Sequence, residues 1–170
     1  TEAVAIIREL IHNGCSRLHL LARDQESNEN LARKLKSENP NLDITTGSVD
    51  LTSSCQNVSI KHFDLYLITA GCLGDAEKAR SNIEQAKQIN EVNFTGLIPW
   101  LTEIITEERI KLAGSLWVFS SVASDRGRPS NYHYGAAKAG LTCFCEGILL
   151  RCHNHPFNVR VLKAGFITSP

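Results

Sequence analysis

The sequence predicts an α/β fold, a doubly wound parallel sheet with helices on both faces. Three observations predict it. Strand-like apolar runs alternate with helix-like segments along the whole chain, the pattern that favours a parallel sheet covered on both sides. No internal repeat, low-complexity tract or linker interrupts the 170 residues, so residues 1–170 read as one domain. Arg23, Asp50, Gly71, Ser121 and Gly165 each fall just after a predicted strand, where ligands bind in such sheets. Any one of them alone reads as an ordinary polar turn; the set is harder to dismiss.

The elements follow in order. Ala3, Ile6, Ile7, Leu10 and Ile11 recur at helical spacing, and Asn13-Gly14 closes that helix. Arg17 to Ala22 reads as a short buried strand. Glu26 to Glu38 is a charged helix, stopped by Asn39-Pro40 because the residue before a proline is driven out of helical geometry. Leu42 to Val49 is a weaker strand and Phe63 to Thr69 a strong one. Two helices are expected at Asn82 to Glu91 and Phe94 to Arg109, then a strand at Ser115 to Ser120. A long helix, Tyr132 to His153, precedes a last strand at Asn158 to Lys163.

Composition excludes several functions. Apolar content of 42% and charged content of 21% are those of a soluble globular chain. The formal net charge is zero and no Lys/Arg stripe is visible, which argues against nucleic acid as a partner. No apolar run is long enough to span a bilayer and the first residues form no signal peptide, leaving only peripheral membrane contact open. Cys15, Cys55, Cys72, Cys143, Cys145 and Cys152 form no C-x-x-C pair. They read mostly as small buried residues, reduced, in a cytoplasmic protein. No metal site is expected; His153 and His155, beside Pro156, read as loop residues.

Tyr134-Gly-Ala-Ala-Lys138 opens the long helix. Residues four apart share a helix face, so the phenol and the ammonium point into one cleft. A free tyrosine titrates near pH ~10, and a cation beside it favours the phenolate and brings it toward neutral pH. Alone, this pair is common and usually solvated. Ser121, at the end of a buried strand, adds a hydroxyl able to orient a carbonyl. Asn93 interrupts an otherwise continuous helical stretch. It reads as an N-cap for the second helix, a role compatible with its amide or backbone holding a water beside Lys138.

On these residues the chain resembles the short-chain dehydrogenase/reductase family over nearly its whole length. The family's Asn–Ser–Tyr–Lys tetrad falls on Asn93, Ser121, Tyr134 and Lys138. Thr69-Ala70-Gly71 resembles its Asn-Ala-Gly segment with Thr for Asn. Asp50-Leu51-Thr52 is similar to its adenine-contacting segment. Ala164-Gly165-Phe166-Ile167-Thr168 resembles its Pro-Gly-x-Val-x-Thr turn, with Ala for Pro. The resemblance implies a Rossmann fold and a nicotinamide cofactor contacted by Asp50, Leu51, Ala70, Gly71, Tyr134, Lys138, Gly165, Ile167 and Thr168. It also implies hydride transfer to a carbonyl carbon, with Tyr134 as acid/base, Ser121 on the oxygen, Lys138 on the ribose and Asn93 in a proton relay. A homodimer or homotetramer is implied as well, paired through the helices at Phe94–Arg109 and Tyr132–His153.

The cofactor is expected to be NADP(H) rather than NAD(H). NAD enzymes place an acidic residue at the end of the second strand; here Ala22 is followed by Arg23, whose guanidinium can pair a 2′-phosphate. Asp24 is the competing reading. The family's glycine-rich phosphate loop and first strand precede Thr1, and its substrate-covering segment follows Pro170, so a longer chain is expected. The run from Ser120 to Cys145, with Leu73-Gly74-Asp75, resembles decaprenylphosphoryl-2-keto-erythro-pentose reductases. That would turn Arg126 and Arg128 toward an anionic substrate. The alternative function is a catalytically silent NADP sensor or scaffold, a class that typically loses the Tyr or the Lys.

Overall fold

The computed structural model describes residues 2–53 and 58–165. Cys55, Ile167 and Thr168 lie outside the described residues. The chain folds as two compact units, one reaching Leu51 and one beginning at Thr52.

In the first unit, helix α1 (Glu2–His12) ends where Gly14 takes a positive φ of 96°, a conformation that favours glycine. There the N–H groups of Gly14 and Cys15 donate to the carbonyls of Ile11 and Leu10. Strands β1 (Arg17–Ala22) and β2 (Asp43–Ser48) pair in parallel, Arg17 opposite Asp43 and Ala22 opposite Ser48. Helix α2 (Gln25–Glu38) is the crossover between them. Asp24 caps it, accepting from the Ser27 N–H at 3.0 Å and the Ser27 hydroxyl at 2.7 Å. Ile7, Leu20, Ala32, Leu35 and Leu42 form this unit's core. Buried Asn28 ties α2 to both strands, its Nδ2 donating to the carbonyls of Leu20 and Gly47.

The second unit holds strands β3 (Leu65–Ile68), β4 (Gly114–Ser121) and β5 (Phe157–Ala164), parallel and in the order β3-β4-β5. In β4, Leu116, Val118 and Ser120 are buried and alternate with half-buried residues, the period of a strand covered by a helix. Helix α7 (Tyr132–Cys152) is that cover, packing on β4 and β5. Helices α3 (Ala76–Ala79) and α4 (Ile83–Asn93) follow β3. The parallel α/β class is as predicted, with helices joining parallel strands.

Three local expectations are corrected. The helix expected over Phe94–Arg109 is a 3₁₀ turn (Thr95–Leu97), α5 (Ile98–Ile104) and α6 (Glu107–Ile110). Pro99 lacks an N–H and fits only a first turn, and Thr106 is extended (φ −60°, ψ 156°), so the helix restarts twice. The short α3 was not expected; the Asp75 carboxylate caps it by accepting from the Lys78 N–H at 2.9 Å. Finally, the cysteines are not mostly buried. Cys145 and Cys152 are, but Cys15 and Cys72 are half-buried and Cys143 is exposed; all five are free thiols. No helix among the described residues is long and apolar enough to cross a membrane.

Candidate active site

The second unit gathers its polar groups around Lys138. This lysine is only 3% exposed, and its Nζ donates to the Phe119 carbonyl of β4 at 3.0 Å and to the Ala70 carbonyl, just past β3, at 3.3 Å. Burial pushes its pKa down to about 8. Lysine is almost never this buried unless paired, and two carbonyl oxygens take the place of water here.

Asn93 is wholly buried at the end of α4. Its Nδ2 donates to the carbonyls of Cys72 (2.6 Å) and Ile89 (2.8 Å), and its Oδ1 accepts from the Cys72 N–H at 3.1 Å. The N-cap reading of Asn93 is therefore corrected. The residue closes α4, and its amide grips both polar groups of Cys72 in the loop after β3, which no strand partner satisfies. Gly71 sits between the two side chains. A methyl group there would stand 3.3 Å from both Asn93 Oδ1 and Lys138 Nζ. Ala70, Gly71, Asn93 and Lys138 thus come together.

Ser121 ends β4, and its Oγ accepts from the Ala123 N–H at 3.1 Å. The same turn is pressed onto α7: a methyl group on Gly135 would lie 2.9 Å from the Ala123 carbonyl oxygen. Ser121 is therefore carried on a turn that touches the helix at the residue after Tyr134. Tyr134 lines a small cleft with Leu73, Ala76, Ile89 and the 130–133 segment. Gly165 is exposed and follows Ala164, which lies opposite Ser121. Arg126 is exposed; Arg128 is half-buried, with its Nε enclosed and without a hydrogen-bond partner among the described residues.

In the first unit, Arg23 follows the carboxyl end of β1 and Asp50 lies just past that of β2, both exposed, with Leu51 half-buried after Asp50. The Val49 N–H donates to the Ala22 carbonyl at 3.0 Å and the Ser48 hydroxyl to the Arg23 carbonyl at 3.4 Å, fixing that edge. Asp24 is turned away into its cap, and the Ser27 hydrogen bonds hold its carboxyl below the usual range.

The backbone partners of the site, the Phe119 and Ala70 carbonyls and the Cys72 peptide groups, carry no sequence signature. Gly135 did leave one. A glycine in a helix interior costs stability relative to alanine, so its place after Tyr134 marks a close approach.

A family model described as short chain dehydrogenase matches residues 3–170. An uncharacterized oxidoreductase of Mycobacterium tuberculosis is 35% identical over 101 residues, 59% of this chain but only 41% of that protein. An uncharacterized oxidoreductase of Streptomyces coelicolor is 27% identical over 98% of this chain and 68% of its own length. Among solved structures, an actinorhodin polyketide ketoreductase with NADPH superimposes with a TM-score of 0.81 at 19% identity, covering 98% of this chain and 67% of that one.

Proposed function

The chain belongs to the short-chain dehydrogenase family, and from that premise we propose that residues 1–170 are part of an NADP(H)-dependent carbonyl reductase, within one dinucleotide-binding and catalytic domain. The observation that carries the reading is the buried Lys138 ammonium, one helical turn from Tyr134 and hydrogen-bonded to two backbone carbonyls. A site that maintains such a charge in its interior at a loss of solvation has a use for it.

The residues fit a nicotinamide dinucleotide. Gly71 keeps clear a place that a side chain would fill against Asn93 and Lys138. Lys138 gives two of its three N–H groups to carbonyls, leaving one for a ribose hydroxyl. When bound, the dinucleotide supplies the hydride. Tyr134 gives its proton to the carbonyl oxygen as charge develops there. Ser121 donates to the same oxygen; its Oγ already accepts from Ala123, which leaves the O–H free to point outward. Lys138 supplies the positive charge against which Tyr134 exchanges its proton. With the Asn93 amide engaged on Cys72 and Ile89, its part in a relay to water falls to its backbone carbonyl.

Arg23 is assigned to the 2′-phosphate, and the commitment of Asp24 to its helix cap supports NADP(H) over NAD(H). Asp50 and Leu51 take the adenine; Gly165, Ile167 and Thr168 take the carboxamide. The substrate class is a ketone or keto-sugar. The narrower resemblance to decaprenylphosphoryl-keto-pentose reductases would turn Arg128, whose Nε has no hydrogen-bond partner among the described residues, toward an anionic substrate group. Exposed Leu149 and Leu150 on α7 suit a homodimer or homotetramer, and free thiols suit a cytoplasmic setting.

The test is a panel of ketones, keto esters and keto-sugars, followed by loss of NADPH or NADH absorbance. Turnover of at least one carbonyl, with NADPH binding more tightly than NADH, is expected. NADPH binding without turnover of any compound would overturn the enzyme in favour of a sensor.

A further inference from the structure

Lys138 is fastened to β4 at two points. Its ammonium donates to the Phe119 carbonyl, and its own main-chain carbonyl receives hydroxyl groups from Ser120, at 3.2 Å, and Thr142, at 2.8 Å. The two hydroxyl oxygens are 2.7 Å apart. Each hydroxyl has one proton, so the simplest arrangement has Ser120 donating to Thr142 and Thr142 donating to the Lys138 carbonyl. In either arrangement a chain of hydroxyls ties a β4 side chain to one peptide group of α7.

These hydroxyls stand where apolar residues would serve stability as well. Ser120 is 4% exposed and Thr142 6%, on surfaces that otherwise bury Leu116 and Val118 of β4 and Ala137, Leu141, Cys145 and Ile148 of α7. Replacing both partners of a buried hydrogen bond by apolar groups of similar shape is close to neutral for stability. A matched pair of this kind therefore contributes registry, one arrangement of helix on strand among several of similar packing energy. The order along β4 makes the registry consequential. Phe119 holds the ammonium, Ser120 holds the peptide of the same lysine, and Ser121 carries the hydroxyl assigned to the substrate.

We propose that Ser120 and Thr142 are positioning residues that set the height of α7 on β4, and so place the Lys138 ammonium and Tyr134 relative to Ser121. The inference rests on the reading of Lys138 given above. A shift of about 1 Å in such a group costs about a hundredfold in rate.

The experiment compares Thr142→Ser, Thr142→Val and the double variant Ser120→Ala/Thr142→Val by thermal melting, by NMR of protein carrying carbon-13 at lysine Cε, and by kinetics with NADPH and ethyl acetoacetate. The Lys138 signal is identified by its loss in Lys138→Met. The double variant is expected to melt within about 4 °C of wild type, with the Lys138 signal displaced. Its kcat should fall about tenfold to a hundredfold with KM nearly unchanged, the signature of an interaction made in the transition state. Thr142→Ser, which keeps the hydroxyl, restores both. Should the double variant melt early, Thr142→Val against wild type makes the same comparison with one hydroxyl exchanged for a methyl. A folded variant whose Lys138 signal stays in place reduces the pair to packing and overturns the proposal. A displaced signal in a protein that turns over no carbonyl leaves the positioning role standing and counts against the reductase reading alone.

Discussion

An ammonium group held out of water is costly, and the cost of Lys138 can be measured. Lys138 keeps its proton in the folded chain only up to about pH 8, against 10.5 for an ordinary lysine. Below about pH 8 both states are protonated and burial costs the folded state its full amount, about 3 kcal/mol for a shift of this size. Between about 8 and 10.5 the unfolded chain binds more protons than the folded one, so this residue's contribution to stability rises with pH. Burial pushes the Cys145 thiol up to about 12, which acts in the opposite sense in more alkaline solution, since there the unfolded thiol is the one that loses its proton. Comparing wild type with Lys138→Met removes most of that second effect, because both carry Cys145. The urea midpoint of wild type, relative to the variant, is expected to climb from about pH 7 to about pH 10. A flat difference would mean that the ammonium is not buried as described.

Elements with a strong local pattern were legible in the sequence. Arg17 to Ala22 is a strand with the expected bounds, although it is not the buried strand expected, since only Leu20 is buried and Arg17, His19 and Leu21 are exposed; α7 starts at Tyr132 as expected. The stretch from Phe94 to Arg109 was not legible, because its apolar spacing runs on while Pro99 and Thr106 break the backbone beneath it. The site divides in the same way. Tyr134 and Lys138 could be placed on one helix face from spacing alone, whereas the acceptors of Lys138 are main-chain carbonyls brought near by tertiary packing. Gly135 and Gly147 turn this distinction into a paired test on one helix. A methyl on Gly135 would collide with the Ala123 carbonyl, while one on Gly147 meets nothing within 4 Å among the described residues. Gly135→Ala is expected to lose about 1–3 kcal/mol and most activity, since it drives the Ser121 turn off α7. Gly147→Ala is expected to gain about 0.5–1 kcal/mol by restricting the unfolded chain. Chemical denaturation of both variants checks the pair; equal effects at the two positions would contradict the close approach.

For the molecule as a whole, the parallel α/β class followed from the order of elements, and the family from motifs that include Asn93, Ser121, Tyr134 and Lys138. Each unit presents its own set of groups at or just past the carboxyl ends of its strands. Arg23 and Asp50 stand at one such edge, and Gly71, Ser121 and Gly165 at the other. What the sequence did not convey was how much the backbone contributes, as in the two-sided grip of Asn93 on Cys72. In the mechanism proposed above, Tyr134 exchanges the proton while Lys138, one helical turn away, holds the charge. Removing the phenolic hydroxyl alone, in Tyr134→Phe, tests it most directly, with NADPH binding followed by fluorescence and carbonyl reduction by loss of NADPH absorbance. NADPH affinity is expected to stay close to wild type and turnover to fall by a factor of about 10² to 10⁴. A variant that binds NADPH and reduces the carbonyl at near the wild-type rate would contradict it.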